Sequence, residues 1–468
     1  MLIFITLFIL FFSYLDYRAL MNGNVNWGFD LAYYINSIYN TSIGRFLITS
    51  IPGEDTFVSK TDHGSGIIIA FISLFTYFFK MHFFFFSLFK ITWLAIGAIA
   101  IYLIAKNRFD DERYGLLFGV GYLFYPMFQI TCLSDFRPLN LIITPFLFSF
   151  YFYEKKEYFF ATIFSLIALS VREEGIYLII AMYIYFLIKT LNEKNIDQSI
   201  KLSLSILLQL IALFSILYPL IKFDLFTTLL HYGRIQFTPE KITYLNFLSF
   251  LILLSIFCLP SLFIGLFSFM NLLNLPLYIE YFLVGVPAPF TLYTYVLHYY
   301  SSAIPFTYLS IIYSFYKIKK RVKAKNRILI FLIILAVGFF LTLLLVRHTN
   351  IRQVYDLNRY LKTDIEEDYY EILKFIDTDS PMAVDGDIAY LFSLRPYIYT
   401  TPSFWEVKYN VTTLYKSKYI ILPKNETFVE EYNPENKAEY KEILEKLDKN
   451  FKKLYEGKIF LLFENENF

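Results

Sequence analysis

Apolar runs of membrane-spanning length recur along residues 1–349, and beyond 350 they give way to shorter alternations. A helix that crosses a bilayer needs roughly 17–25 mostly apolar residues. Runs at 2–20, 83–105, 114–131, 139–153, 158–171, 175–190, 201–221, 245–259, 261–275, 299–316 and 328–346 approach or reach that length. They predict a mainly α, polytopic bundle of about eleven spans. The first run lacks a basic leader and a small-residue cleavage site, so it reads as a retained helix rather than a signal peptide. In the tail the period changes. Residues 365–376 and 435–449 read as amphipathic or charged helices, and 382–385, 397–400 and 419–422 as strands. Residues 453–455 and 459–463 suggest a hairpin around Glu456-Gly457, so a small α/β domain is expected over 350–468.

Composition sharpens this division. The chain is 57% hydrophobic, 21% aromatic and 18% charged, against about 25% charged in soluble proteins. Disordered, collagen-like and disulfide-scaffold classes are thereby excluded. Residues 350–468 carry 16 of the 42 Lys and Arg and 22 of the 40 Asp and Glu. The first 349 residues are charge-poor, and the tail has a soluble composition. Two domains follow, a membrane domain over 1–349 and a globular one over 350–468. The two cysteines, Cys132 and Cys258, show no metal-binding spacing. A net charge of +2 without a basic, aromatic-interleaved patch gives no reason to expect a nucleic-acid partner.

The few charges set the topology. Segment 64–79 is apolar but short. If it lies in the outer interface rather than spanning, four basic loops fall on one side. These contain Lys106/Arg108/Arg113, Lys155/Lys156, Lys189/Lys194/Lys201 and the run Lys317 to Arg327. The positive-inside rule prefers that arrangement, with a cytoplasmic N-terminus and an extracytoplasmic tail. Arg18, just outside the first span, is the dissenting charge. The ionisable residues read as lying in or beside apolar runs are Asp30, His63, Asp135, Arg137, Arg172, Glu173, Glu174 and His298. All of them then fall at outer span ends, as a single outer cavity would require. The sequons at Asn40, Asn410 and Asn425 fall on the same side.

Each motif has a structural reading beside the chemical one. In the outer loop 21–82, residues 28–41 place Leu31, Ile35 and Ile38 on one helical face and Asp30, Ser37 and Thr41 on the other, as in an interfacial helix. Asp30 suits a helix N-cap, and equally a general base for an acceptor hydroxyl. Asp62-His-Gly-Ser-Gly66 is a polar approach to segment 64–79, or an ordinary loop. Ser134-Asp-Phe-Arg-Pro138 makes a tight corner in which Asp135 and Arg137 can pair. Arg172-Glu-Glu-Gly175 starts a helix with favourable carboxylates, or clamps a lipid phosphate. His298-Tyr299 opens a span. No nucleotide-binding, metalloprotease or nucleophile-elbow motif occurs.

In order and spacing these motifs resemble a family of prokaryotic polytopic membrane proteins known as domain of unknown function 2079. The resemblance rests on Phe29-Asp30 with Gly44-Arg45, His63-x-Ser65, Asp135-Phe136-x-Pro138, Arg172 to Gly175, His298-Tyr299 ahead of Pro305-Phe306, and the tail strand Lys418-Tyr-Ile-Ile-Leu-Pro423. The chain departs at Gly64 and Gly66, and has Arg137 for a usual His and Arg172 for a usual Lys. That family in turn resembles the C-type (GT-C) glycosyltransferases, whose first outer loop bears an acidic residue on a juxtamembrane helix. The resemblance implies transfer of a sugar from a polyprenyl-phosphate donor to a glycan, lipid or protein acceptor on the outer face. Asp30 would act on the acceptor, and Arg137 or Arg172 would meet the departing phosphate. His63, Ser65, Asp135, Glu173, Glu174, His298 and Tyr299 would bind substrate, and a divalent cation (Mg or Mn) is left open. A lipid or polysaccharide transporter and a non-catalytic surface-assembly protein are the competing classes.

Overall fold

The computed structural model describes residues 1–23, 28–51, 56–57, 66–78, 82–171, 174–194, 196–212, 251, 254–275, 301–321, 326–347, 355–386, 388–400, 414–424 and 436–468. The helices are α1 (Leu2–Met21), α2 (Gly28–Ser42), α3 (Gly66–Phe78), α4 (Phe83–Phe109), α5 (Glu112–Leu123), α6 (Pro126–Leu133), α7 (Ile143–Lys155), α8 (Tyr158–Val171), α9 (Glu174–Asn192) and α10 (Ile196–Ala212). They continue with α11 (Phe269–Leu272), α12 (Ile304–Arg321), α13 (Arg327–Arg347), α14 (Asp364–Ile372), α15 (Ala389–Phe392) and α16 (Asn436–Asn450). The strands are β1 (Ile48–Thr49), β2 (Thr56–Phe57), β3 (Met382–Val384), β4 (Ile398–Thr400), β5 (Tyr419–Pro423), β6 (Lys452–Glu456) and β7 (Phe460–Glu464).

The chain forms two compact units, Met1–Tyr14 with Phe86–Asp356, and Leu15–Phe85 with Leu357–Phe468. Among the described residues, α1, α4, α9 and α13 are long and apolar enough to cross a membrane, and α5 with α6 makes a fifth span if the bent pair counts as one. Their 45° bend has a local cause. Tyr125 precedes Pro126 and takes the extended conformation that proline imposes, so the helix cannot run through. Arg137 ahead of Pro138 is extended for the same reason, and a 3-10 helix over Pro138–Ile142 leads into α7.

The predicted span 261–275 is not one helix. Leu262 and Phe263 adopt left-handed backbone conformations, the Ser261 hydroxyl accepts from Gly265 N at 3.1 Å, and Ser268 caps only the single turn α11. Polar side chains here satisfy backbone groups locally and compete with a helical ladder. Gly338 of α13 lets this broken segment pack close, because a Cβ there would overlap the carbonyls of Leu259 and Pro260. Between α7, α8, α9 and α10, the hydroxyls of Tyr153, Tyr183, Thr162 and Ser205 join with the Gln209 amide in one buried network. Such bonds hold apolar helices together where lipid removes the hydrophobic drive.

In the second unit the tail sheet has the order β4-β3-β5-β7-β6, with β3 parallel to β4 and β5, and β7 antiparallel to β5 and β6. Every residue of β3 and β5 is buried, as a sheet covered on both faces requires. Ala383, Ile420, Leu422 and Phe463 pack on Tyr440, Ile443 and Leu447 of α16. The helices and strands read from the tail sequence are therefore in place. Segment 64–79 yields α3, an apolar helix of 13 residues, or roughly 20 Å. That is shorter than the ~30 Å hydrocarbon layer.

Candidate functional site

Asp30 is the third residue of α2, half-buried in its first turn. The helix already runs from Gly28, so Asp30 is not its N-cap; the carboxylate instead faces the positive end of the helix dipole from inside the first turn. α2 is more enclosed by protein than its two-faced pattern suggests. Eleven of its 15 residues are buried, because α3 packs on it from one direction and α15 with β1 from others. Its polar residues tolerate this by bonding within the helix, Ser37 to the Tyr33 carbonyl at 2.6 Å and Thr41 to that of Ser37 at 2.7 Å.

One buried amide organises this region. Asn36 Nδ2 donates to the carbonyls of Ser393 (3.3 Å) and Arg395 (2.8 Å), while its Oδ1 accepts from Thr49 Oγ1 (3.1 Å) and Ser50 N (3.0 Å). One turn on, Asn40 Nδ2 donates to Asn36 Oδ1 and to Pro396 O. Asn40 is 0% exposed, so its sequon cannot carry a glycan in this fold. Gly44, at φ +94°, ends α2: Arg45 N reaches Asn40 O at 2.8 Å and Gly44 N reaches Thr41 O, the double bond pattern of a left-handed C-cap. The cap aims Arg45 at Pro396 O (2.6 Å), with its guanidinium 4.4 Å from the Tyr397 ring centre. Arg18, the dissenting charge of the topology argument, is neutralised by Glu366, which accepts from it at 2.8 and 2.9 Å.

The first unit contributes the corner 134–138. Asp135 and Arg137 are each 5% exposed, within one link between α6 and α7. Lys90 of α4, 1% exposed, donates to Ser134 O at 2.5 Å. One and two turns along α4 from Phe86, which meets the Phe136 ring, Lys90 and then Trp93 follow; the Trp93 indole donates to Leu141 O at 2.8 Å. The corner is thus pinned along a single face of α4. Lys90 is absent from the ionisable residues read from sequence, as is Asp16 of α1, which is 3% exposed. Both were visible as charges inside apolar runs, the ordinary signal of an intramembrane functional group.

The remaining sequence candidates are less fully placed. His63, Ser65, Arg172, Glu173, His298 and Tyr299 lie outside the described residues, and Glu174 is described only as the first residue of α9. The structure therefore brings Asp135 and Arg137 together in one corner, while Asp30 belongs to the other unit. Among the described residues no three His, Cys, Asp or Glu side chains group as metal ligands. His63, Glu173 and His298, which the sequence offers to a substrate, fall outside that search.

Two solved structures share the fold along nearly the whole of both chains. One is the crystal structure of ArnT from Cupriavidus metallidurans bound to undecaprenyl phosphate, with TM-score 0.53, 11% identity, and 99% of this chain and 97% of that one covered. The other is ArnT from the same organism in the apo state, with TM-score 0.52, 12% identity, and 98% and 97% covered. At such identity the likeness is one of fold, and the fold is GT-C glycosyltransferase-like. No curated protein matches the chain. The family of predicted membrane proteins designated DUF2079 matches residues 25–456, and the chain belongs to it.

Proposed function

We propose that this protein transfers a sugar from a polyprenyl-phosphate donor to an acceptor at the extracytoplasmic face of the cell membrane. The observation that carries this reading is the GT-C-like fold over nearly the full length of both chains, shared with an ArnT structure that holds undecaprenyl phosphate. The Asp30 carboxylate, in the first turn of the helix that follows α1, orients or deprotonates the acceptor hydroxyl. As the bond to the donor breaks, negative charge grows on the lipid phosphate, and Arg137, Lys90 and Arg172 supply the opposing charge. Preorganised groups of this kind contribute about 2.7–4 kcal/mol each to a transition state. Asp135, His63, Ser65, Glu173, Glu174, His298 and Tyr299 hold the sugar or the acceptor. About eleven spans, a cytoplasmic N-terminus and an outer tail complete the proposal, and the pairing of Arg18 with Glu366 removes the charge that spoke against that orientation.

The test is Asp30→Asn in membranes supplied with a polyprenyl-phosphate sugar. The amide keeps the shape and loses the base, so transfer should fall by about 10²–10⁴-fold. Transfer at the wild-type rate would sink the assignment of Asp30. Running the same assay with EDTA, then restoring Mg or Mn, decides whether a divalent cation takes part.

A further inference from the structure

The tail carries no catalytic motif, yet its backbone meets α2 at a completely satisfied, buried amide. The strand-edge segment 393–396 offers three carbonyls toward α2: Asn36 takes those of Ser393 and Arg395, and Arg45 with Asn40 takes that of Pro396. From the other side the outer loop closes the clamp. The Ser50 hydroxyl accepts from Ile398 N at 3.0 Å, and the Ile51 carbonyl accepts from Thr400 Oγ1 at 2.7 Å. The Arg395 side chain in turn donates to Ser380 O, which ties segment 393–396 into the sheet domain. No apolar packing alone would fix α2 in rotation and in register along its axis, whereas an amide with donors aimed at one segment, 393–396, and an acceptor aimed at another, 49–50, does.

We propose that the tail is part of the catalytic apparatus through this clamp: Asn36, with Arg45 beside it, is a positioning residue that holds α2 so that the Asp30 carboxylate meets its substrate. Asn36 lies six residues beyond Asp30 on the same helix, roughly 9 Å along its axis. This inference rests on the catalytic reading of Asp30. It assigns to the tail a role in alignment rather than in binding the acceptor.

The experiment uses the full chain in nanodiscs with three variants, Asn36→Leu, Arg45→Ala and Arg45→Lys. Amide hydrogen exchange across α2 is measured beside kcat and the donor KM. Asn36→Leu should speed exchange in α2 while α16 and β5 keep wild-type protection, and should lower kcat by about 100-fold, the scale of a 1 Å misplacement. Donor KM should stay within about twofold, since ground-state donor binding is untouched. Arg45→Ala, at the half-buried rim where folding is less at risk, should show the same pattern more weakly, and Arg45→Lys should restore most of it. Unchanged exchange in α2 would overturn the clamp. Faster exchange with wild-type kcat would overturn the positioning role. Failure of the Asp30 reading would show separately, as wild-type transfer by Asp30→Asn.

Discussion

At the scale of single residues, the informative ones are buried charges and amides that an apolar chain has no reason to carry. Lys90 is the sharpest case. An ammonium inside a 27-residue apolar helix costs several kcal/mol in desolvation, and its bond to the Ser134 carbonyl returns about 1–3 kcal/mol. Lys90→Met keeps most of the volume and removes the charge, so the two terms offset and the melting temperature should move by only a few degrees. Transfer should nevertheless fall by about 100-fold. Thermal unfolding together with a transfer assay checks both halves, and wild-type transfer would take Lys90 out of the site. Asp30, by contrast, was legible from its place after the first span. The sequence could not distinguish a cap from a first-turn carboxylate, because that difference depends on where the helix starts.

At the scale of elements, proline and local hydrogen bonding decided what hydropathy could not. The run 114–131 is continuous in hydropathy and bent in structure because Pro126 forbids one helix. The run 261–275 is apolar enough for a span and is broken by serines and left-handed residues. In the tail, short apolar runs located the strands well: β3 and β5 are buried on both faces and read as continuous apolar stretches, and β4 alternates. The start of the domain has its own electrostatic lock. Asp377 accepts from Asp379 N, Ser380 N and Oγ, Lys418 Nζ and Tyr419 OH. Burial works against the charged form, but these donors, Lys418 foremost, hold its carboxyl well below the ordinary carboxylate range. A depressed folded-state pKa stabilises above the unfolded value of about 3.9 and is lost as pH falls through the folded one. Because Asp377 is 44% exposed, solvent screening limits the gain to about 1 kcal/mol or less. Between pH 5 and pH 3 the wild type should therefore lose slightly more thermal stability than Asp377→Asn, as followed by tryptophan fluorescence. Equal acid sensitivity in the two would discount the lock.

At the scale of the whole molecule, the loop 21–82 and the tail share one compact unit although some 270 residues separate them in sequence. Deleting residues 357–468 should consequently do more than remove an appendage. It strips Arg18 of Glu366 and Asn36 of two carbonyl partners, and it uncovers the side of α2 on which α15 packs. The truncated chain should expose 15–85 to protease and lose transfer. Normal abundance with wild-type protection of that loop would contradict the shared unit.

Taken by itself, the sequence determined the class of the molecule: a charge-poor, aromatic, multi-span domain and an α/β tail, together with a short list of polar motifs. Hydropathy period and charge placement are local properties, and they survive in any window of the chain. Tertiary structure alone decided that α2 is enclosed by α3, α15 and β1, that Lys90 reaches the 134–138 corner, and that the tail grips the loop bearing Asp30. Those facts depend on which backbone carbonyls a distant segment presents, and a carbonyl leaves no mark in the identity of the residue that carries it.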